Sequence, residues 1–410
     1  MMKRILDTIH SVADRGIDKI EKIIANKLLI SNKNCFGDLM KYKTSSIFDS
    51  PKADFIYRES TGKCIYNVVS KPRTYPDFKE ERMDIACFPD YISAFNNAKV
   101  LPGTDAIIKD TAVLSDRFAY DKDASVVLGV RMLKSFDKEN VVLRVKKTER
   151  LKGTYIDLCY CGGGNIWHMS YDMLSKFRLI NSCDSIKNIP ILMDEGIKTN
   201  RFARHYIDCF DQHKHRIIYL KSDRLYDVEK VYTVSLSYIF MRSKKQCEDM
   251  FFISNKFTVF ARDIMRNKLH ASKTRRFFIQ RGDKRLVNEE EVASYLRNKG
   301  FEVIRPEKFS LIDELSLFYD AECVVGAIGA AFTNSLYVKN KCNLICIAPK
   351  ERIGLVNSYA TITKGIGAKV YYCRAETVSN DGTGTQGLKF RANMSELEKI
   401  YDYLFSCCVQ

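Results

Sequence analysis

Short apolar runs rich in β-branched and aromatic side chains alternate, over most of the chain, with stretches whose apolar positions recur at helical spacing. Strand-like runs occupy residues 155–161, 189–193, 216–220 and 230–236, with helices expected from Asn165 and over 199–211. A charged, partly helical connector follows at 242–273. The alternation then resumes with strands at 274–280 and 301–305, a helix at 310–319, and a strand from Cys323 into a glycine turn and another helix. Strands at 344–348 and 369–373 and a helix from Ser395 close the pattern. Asn288 with Glu291 three residues on predicts an N-cap and capping box, and Ser310 predicts a second N-cap. Strands and helices taking turns build parallel sheets covered by helices.

Outside that region the pattern changes. Residues 90–145 alternate short β-like runs with turns, and residues 31–85 give no assignable element. Ile5, Ile9, Ile17, Ile20, Ile24 and Leu28 fall on one face of an expected amphipathic helix over 2–28, with charged residues opposite. That face suits either packing against the body or contact with a membrane surface. The three glycines of 379–387 read as a loop. No internal repeat or low-complexity tract interrupts the chain.

With 410 residues, of which 46% are hydrophobic, the chain is long enough for two cores. Its 66 basic against 50 acidic side chains leave a net charge of +16, which implies acidic partners without choosing among nucleotide sugars, lipid headgroups and nucleic acid. Fourteen cysteines without repeated spacing, and no signal-peptide pattern, lead to the expectation of a reducing cytoplasm. Cys159 and Cys161 read as small apolar residues of a sheet rather than a metal pair. The Asp121, Lys122, Asp123 triplet reads as a solvated loop, so no metal site is expected.

Chemistry concentrates at strand ends. Arg281 and Arg285 follow the strand at 274–280, and Gly326, Ala327, Ile328 and Gly329 follow the next but one. Ligands of open parallel sheets bind beyond the carboxyl ends of the strands, where helix amides and arginines favour a phosphate. His168 and Asp172, four apart on the helix from Asn165, form a candidate acid–base pair, with either as the base and Asp172 favoured as the carboxylate already ionised at neutral pH.

These residues resemble glycosyltransferase family 61. Asn165, His168, Asp172 and Leu174 are similar to one family block; Arg281, Arg285, Asn288 and Glu289 to a second; Pro306, Glu307 and residues 326–334 to a third. A weaker likeness covers residues 91–116. The chain departs from the family pattern at Ala327, Ile328, Glu314 and Met169, where the family has proline, histidine, glutamine and tryptophan.

The resemblance implies a GT-B-like α/β fold, two Rossmann-like domains facing a cleft. An amphipathic helix (1–30) would precede an acceptor domain (31–245), a nucleotide-sugar domain (246–390) and a terminal helix (391–410). It implies an inverting, metal-independent glycosyltransferase of surface polysaccharide synthesis, of the bacterial capsule or O-antigen type, with a UDP-linked donor as substrate and no cofactor. Arg281, Arg285, Gly329, Ala330, Thr333, Asn334 and Glu307 would bind the donor, Asn165 and Trp167 the acceptor. The acceptor would be a glycan or lipid-linked oligosaccharide, the location cytoplasmic on the inner face of the membrane, with self-association. The rival readings are a pyruvyl or other sugar-modifying transferase on a similar scaffold, and an inactive polyanion- or nucleic-acid-binding protein. Against the latter stands the lack of any aromatic-basic recognition motif.

Overall fold

The computed structural model describes residues 19–406 apart from 121–131, 138, 146, 161–164, 237, 243–248, 254, 274, 283–284, 340 and 381–386. The Asp121–Asp123 triplet, Cys161 and residues 2–18 of the N-terminal stripe therefore lie outside the described residues; 19–30 are helical.

The chain is mixed α/β, built on two large sheets. In the N-terminal sheet, strands Leu225–Val234, Thr148–Asp157, Ile191–Asp194 and Ile217–Leu220 are parallel neighbours in that order. Tyr91–Val100 pairs antiparallel with Leu225–Val234 and carries the sheet on into Ile107–Lys109, Ala112–Leu114 and Leu39–Ser45. Residues 31–85, unassigned from sequence, thus supply strands. Their polar interruptions hide the alternation: Cys64–Lys71 and Glu81–Cys87 form a separate hairpin, while Arg73–Thr74 joins the other sheet beside Lys369–Asn380.

The C-terminal sheet runs Glu302–Ile304, Arg276–Ile279, Cys323–Ala327, Asn343–Pro349 and Lys369–Asn380, all parallel, and ends on antiparallel Leu388–Ala392. Arg276–Ile279 lies between the two strands that follow it in sequence, Glu302–Ile304 and Cys323–Ala327. Connections therefore leave that strand in opposite directions, which opens a crevice beyond the carboxyl ends of Arg276–Ile279 and Cys323–Ala327.

Alternation along the strands sends successive side chains to opposite faces. Phe278, Val325 and Ile345 join an outer cluster with Leu296 and Leu397, whereas Phe277, Val324 and Leu344 face inward. The N-terminal sheet does the same: Tyr155 and Leu192 lie on its outer side, Ile156 and Ile191 on its inner side. Both inner faces belong to one continuous cluster that includes Tyr171, Tyr206, Phe257, Phe332 and Tyr359. Composition allows two cores; the structure's shared inner cluster joins the halves, with separate clusters on the outer side of each sheet.

Local expectations met mixed outcomes. Ser310 caps Leu311–Tyr319 by accepting from the Asp313 amide at 3.3 Å. Asn288 precedes Glu289–Asn298 but makes no side-chain cap; its Oδ1 accepts from the Ala392 amide at 2.9 Å, because strand Leu388–Ala392 competes for it. The helix expected from Asn165 begins with Asn165 capping the Trp167 amide at 2.9 Å, then passes through a π-helical stretch, Met169–Met173, before Phe177–Asn181. Helix Ile353–Thr363, which the sequence reading missed, is buried on nearly every side, its Asn357, Ser358 and Thr361 included, because both halves cover it.

Arg201 ties the halves together. Its guanidinium donates to the carbonyls of Glu307 (2.7 Å) and Pro306 (2.9 Å) and to Glu314 Oε2 (3.0 Å). Glu314 also accepts from Asn334 Nδ2 at 2.7 Å. Burial pushes the Glu314 carboxyl up to about 7, and its contacts with Asn334 and Arg201 only partly oppose that. The folded state therefore binds this proton more tightly than the unfolded chain, and the stability so gained is lost as pH rises from 4.5 towards about 7. Glu314→Gln should flatten that decline, with its melting temperature gaining on the parent between pH 5 and 8. The corresponding change is on the order of 2–3 kcal/mol at most. Parallel melting curves for the two proteins across that range would contradict this.

Candidate active site

The crevice of the C-terminal sheet opens into a cavity of about 600 Å³, bordered by the helical turn that starts at Asn165. Asn165, Trp167 and His168 form one wall; Arg281, Arg285, Ile328, Gly329 and Ala330 form the opposite one; Arg352, Leu355, Tyr359, Leu388 and Phe390 complete it. Three guanidiniums line this space, and no carboxylate does among the described residues.

The arginine wall follows from two turns. Gly282 adopts φ +67°, a left-handed conformation that glycine tolerates best. Glu289, at the start of the following helix, accepts from the Arg281 amide at 2.9 Å and the Gly282 amide at 3.2 Å, which fixes the turn presenting Arg281. The second turn is held by Tyr359, whose hydroxyl donates to the Gly329 carbonyl at 2.8 Å. Beyond it the 3-10 helix Ala330–Tyr337 begins, at a helix start where the first amides have no intrahelical acceptor.

Gly329 is small for a reason visible in the geometry. A Cβ there would lie 2.0 Å from Arg281 Nη1 and 3.4 Å from Arg285 Nη2. The obstacle is the end of a flexible side chain, so an added methyl displaces the guanidinium rather than the backbone. Gly329→Ala should change stability by less than about 1 kcal/mol. It should weaken pyrophosphate binding about tenfold, as calorimetry reads it. Unchanged affinity would show that Arg281 does not hold the anion.

On the facing wall, Trp167 packs against Tyr359 with ring centroids 5.1 Å apart, edge to face, so its ring is mostly buried and only partly borders the cavity. His168 is 33% exposed, and its Nδ1 lies 2.9 Å from Asp172 Oδ2. Four residues apart, the two side chains meet along one face of the helical turn. Asp172 is fully buried and is not among the residues lining the cavity. Its other oxygen accepts from Arg117, whose Nε donates to Asp105 Oδ2 at 2.7 Å. Burial alone would raise the Asp172 carboxyl; the Arg117 guanidinium and the His168 contact outweigh it and hold the group below the usual carboxylate range. The chain Asp105, Arg117, Asp172, His168 thus ends on the member that lines this cavity. In a neutral imidazole whose Nδ1–H is given to a carboxylate, Nε2 carries the lone pair.

Several sequence-singled residues lie elsewhere. Asn334 is buried and holds Glu314; Thr333 is buried beside it; Glu307 serves through its carbonyl, which accepts from Arg201. Ile328, at the position of the family histidine, is buried in the shared core and shows one edge to the cavity. Arg352, Tyr359 and Arg117 were not singled out from sequence. Arg352 could have been found: it follows strand Asn343–Pro349 at the same carboxyl edge that drew attention to Arg281. Arg117 sits one residue past the weakest block of the resemblance, and only the fold brings it to Asp172.

No curated protein matches the chain. Residues 166–345, which include His168, Asp172, Arg281, Arg285 and the glycine turn, match the model of the family described as Glycosyltransferase 61, and the match supports a glycosyltransferase.

Proposed function

We propose that the chain is an inverting glycosyltransferase that moves a sugar from a UDP-linked donor to a glycan or lipid-linked saccharide, in cytoplasmic assembly of a surface polysaccharide. The observation that carries this reading is the pairing, across one cavity, of three guanidiniums with a histidine backed by a buried carboxylate. Guanidiniums offer paired donors and keep their charge, which suits a departing diphosphate; three of them supply the positive field that a divalent cation supplies elsewhere. The amides of Gly329 and Ala330 add donors at the same edge.

On this reading His168 Nε2 takes the proton from the acceptor hydroxyl as that oxygen attacks the anomeric carbon, and the bond to the diphosphate breaks on the opposite side of the sugar. Asp172 orients the ring and stabilises the imidazolium that forms, so the favoured base passes from Asp172 to His168. The two walls correspond to acceptor and donor sides of a GT-B-like arrangement, with Asn165 and Trp167 on the acceptor side.

Incubation with a panel of nucleotide sugars and saccharide acceptors tests the proposal. UDP should be released stoichiometrically with a product whose anomeric configuration, read by NMR, is inverted. Retained configuration would remove the single-displacement mechanism. Phosphate released from phosphoenolpyruvate, with no turnover of nucleotide sugars, would replace the proposal with pyruvyl transfer.

A further inference from the structure

The helix over residues 19–30 presents two different faces. Its inner face sets Ala25 and Leu28 against Leu39 and Val142 of the N-terminal sheet, and Ile24 and Leu29 flank that contact. Glu21 is turned inward as well, paired with Arg144 at 2.5 Å and Lys134 at 3.4 Å. Asn26 accepts from Ser135. Anchored this way, the helix cannot roll to hide the rest of its surface.

The outer face carries Ile20, Ile23 and Ile30, exposed by 60%, 51% and 86%, interleaved with exposed Lys19, Lys22 and Lys27. At 100° per residue all six fall within the outward half of the helix, and no acid shares it. Just beyond, exposed Lys33 and Phe36 (58% exposed) continue the same mixture. The apolar stripe foreseen from sequence is thus divided, part packed on the body and part turned to solvent.

We infer that this face docks on an anionic lipid surface, with the isoleucines entering the headgroup boundary and the lysines meeting lipid phosphates. Isoleucines without an apolar medium gain nothing at a nucleic acid. A second copy of the same face would set lysine against lysine. An anionic bilayer satisfies both residue types at once. Twelve residues with three lysines lie in the interface and do not span it, and no helix among the described residues is long and apolar enough to cross a membrane. The inference does not depend on the reaction assigned to the cavity.

Sedimentation of the full chain with vesicles tests it, comparing phosphatidylcholine alone with mixtures containing phosphatidylglycerol. The parent should pellet with the anionic vesicles, less so at high salt, and stay in solution with the neutral ones. The triple variant Ile20→Ser, Ile23→Ser, Ile30→Ser and the triple variant Lys19→Gln, Lys22→Gln, Lys27→Gln should each lower the partition about tenfold or more. Both should keep the parent melting temperature, since these side chains are exposed. Equal partition onto neutral and anionic vesicles, or unimpaired binding by the isoleucine variant, would overturn the inference. So would light scattering that shows a dimer dissociated by the serine substitutions, which would make a second copy the occupant.

Discussion

His168→Ala is expected to lower turnover about 10²- to 10⁴-fold, the range over which a positioned general base contributes. UDP affinity should stay within about threefold of the parent, because on the proposed function the imidazole acts in the transition state and the diphosphate is held on the other wall. The split between the two readouts carries the argument: kcat falls, donor binding does not. If Asp172 took the proton directly, His168→Gln would be mild and Asp172→Asn severe. The buried position of Asp172, with one oxygen on Arg117 and the other on His168, predicts the reverse at the cavity itself: no acceptor hydroxyl reaches the carboxylate without displacing the ring. Asp172→Asn should still impair the enzyme, through the orientation of His168 and the loss of the charge that faces Arg117.

The second large effect concerns the opposite wall. Arg281→Ala and Arg285→Ala should each weaken UDP binding about 10- to 100-fold, the equivalent of one or two charge-assisted hydrogen bonds. Arg352→Ala tests whether the third guanidinium shares that task, since it lines the same cavity from a different strand end. Equal affinities for all three variants and the parent would place the phosphate site elsewhere. The double variant Arg281→Ala, Arg285→Ala should fold, because the backbone amide of Arg281 on Glu289 holds the turn in either case.

Much of this site was legible in the sequence, and the reason is locality. Arg281, Arg285, Gly329 and Ala330 stand just past strands whose apolar runs are unmistakable, and the carboxyl-edge rule for parallel sheets then brings them together. His168 and Asp172 are four residues apart, so a helical turn suffices to join them. What escaped detection depends on long-range pairing. Arg117 reaches Asp172 only because the segment after Ala112–Leu114 is folded beneath the π-helical turn. Helix Ile353–Thr363 buries its polar positions along with its apolar ones, since both halves cover it, and so shows no amphipathic period. Polar residues interrupt the alternation in the strands of 31–85, and one of them, Arg73–Thr74, pairs with the distant Lys369–Asn380. The sequence favours Asp172 as the base on its ionisation and on the acid that the resemblance places there. Burial, which decides whether a carboxylate meets a substrate, is a property of the fold.

The departure at Ile328 has a physical reading too. Its side chain belongs to the core shared by the two halves, so packing stands where the resembled pattern has a histidine; on the proposed function the anion is left to the arginines and amides around it. Gly329 keeps its importance in either case, because Arg281 passes where its Cβ would stand.

A crystal structure of the complex with UDP tests the central claim most directly. The account predicts the diphosphate lodged between Arg281, Arg285 and the Gly329–Ala330 amides, with its terminal phosphate facing His168 Nε2 across a space the size of one sugar ring. A diphosphate bound away from these guanidiniums, or one seated there with His168 turned out of the cavity, would contradict it.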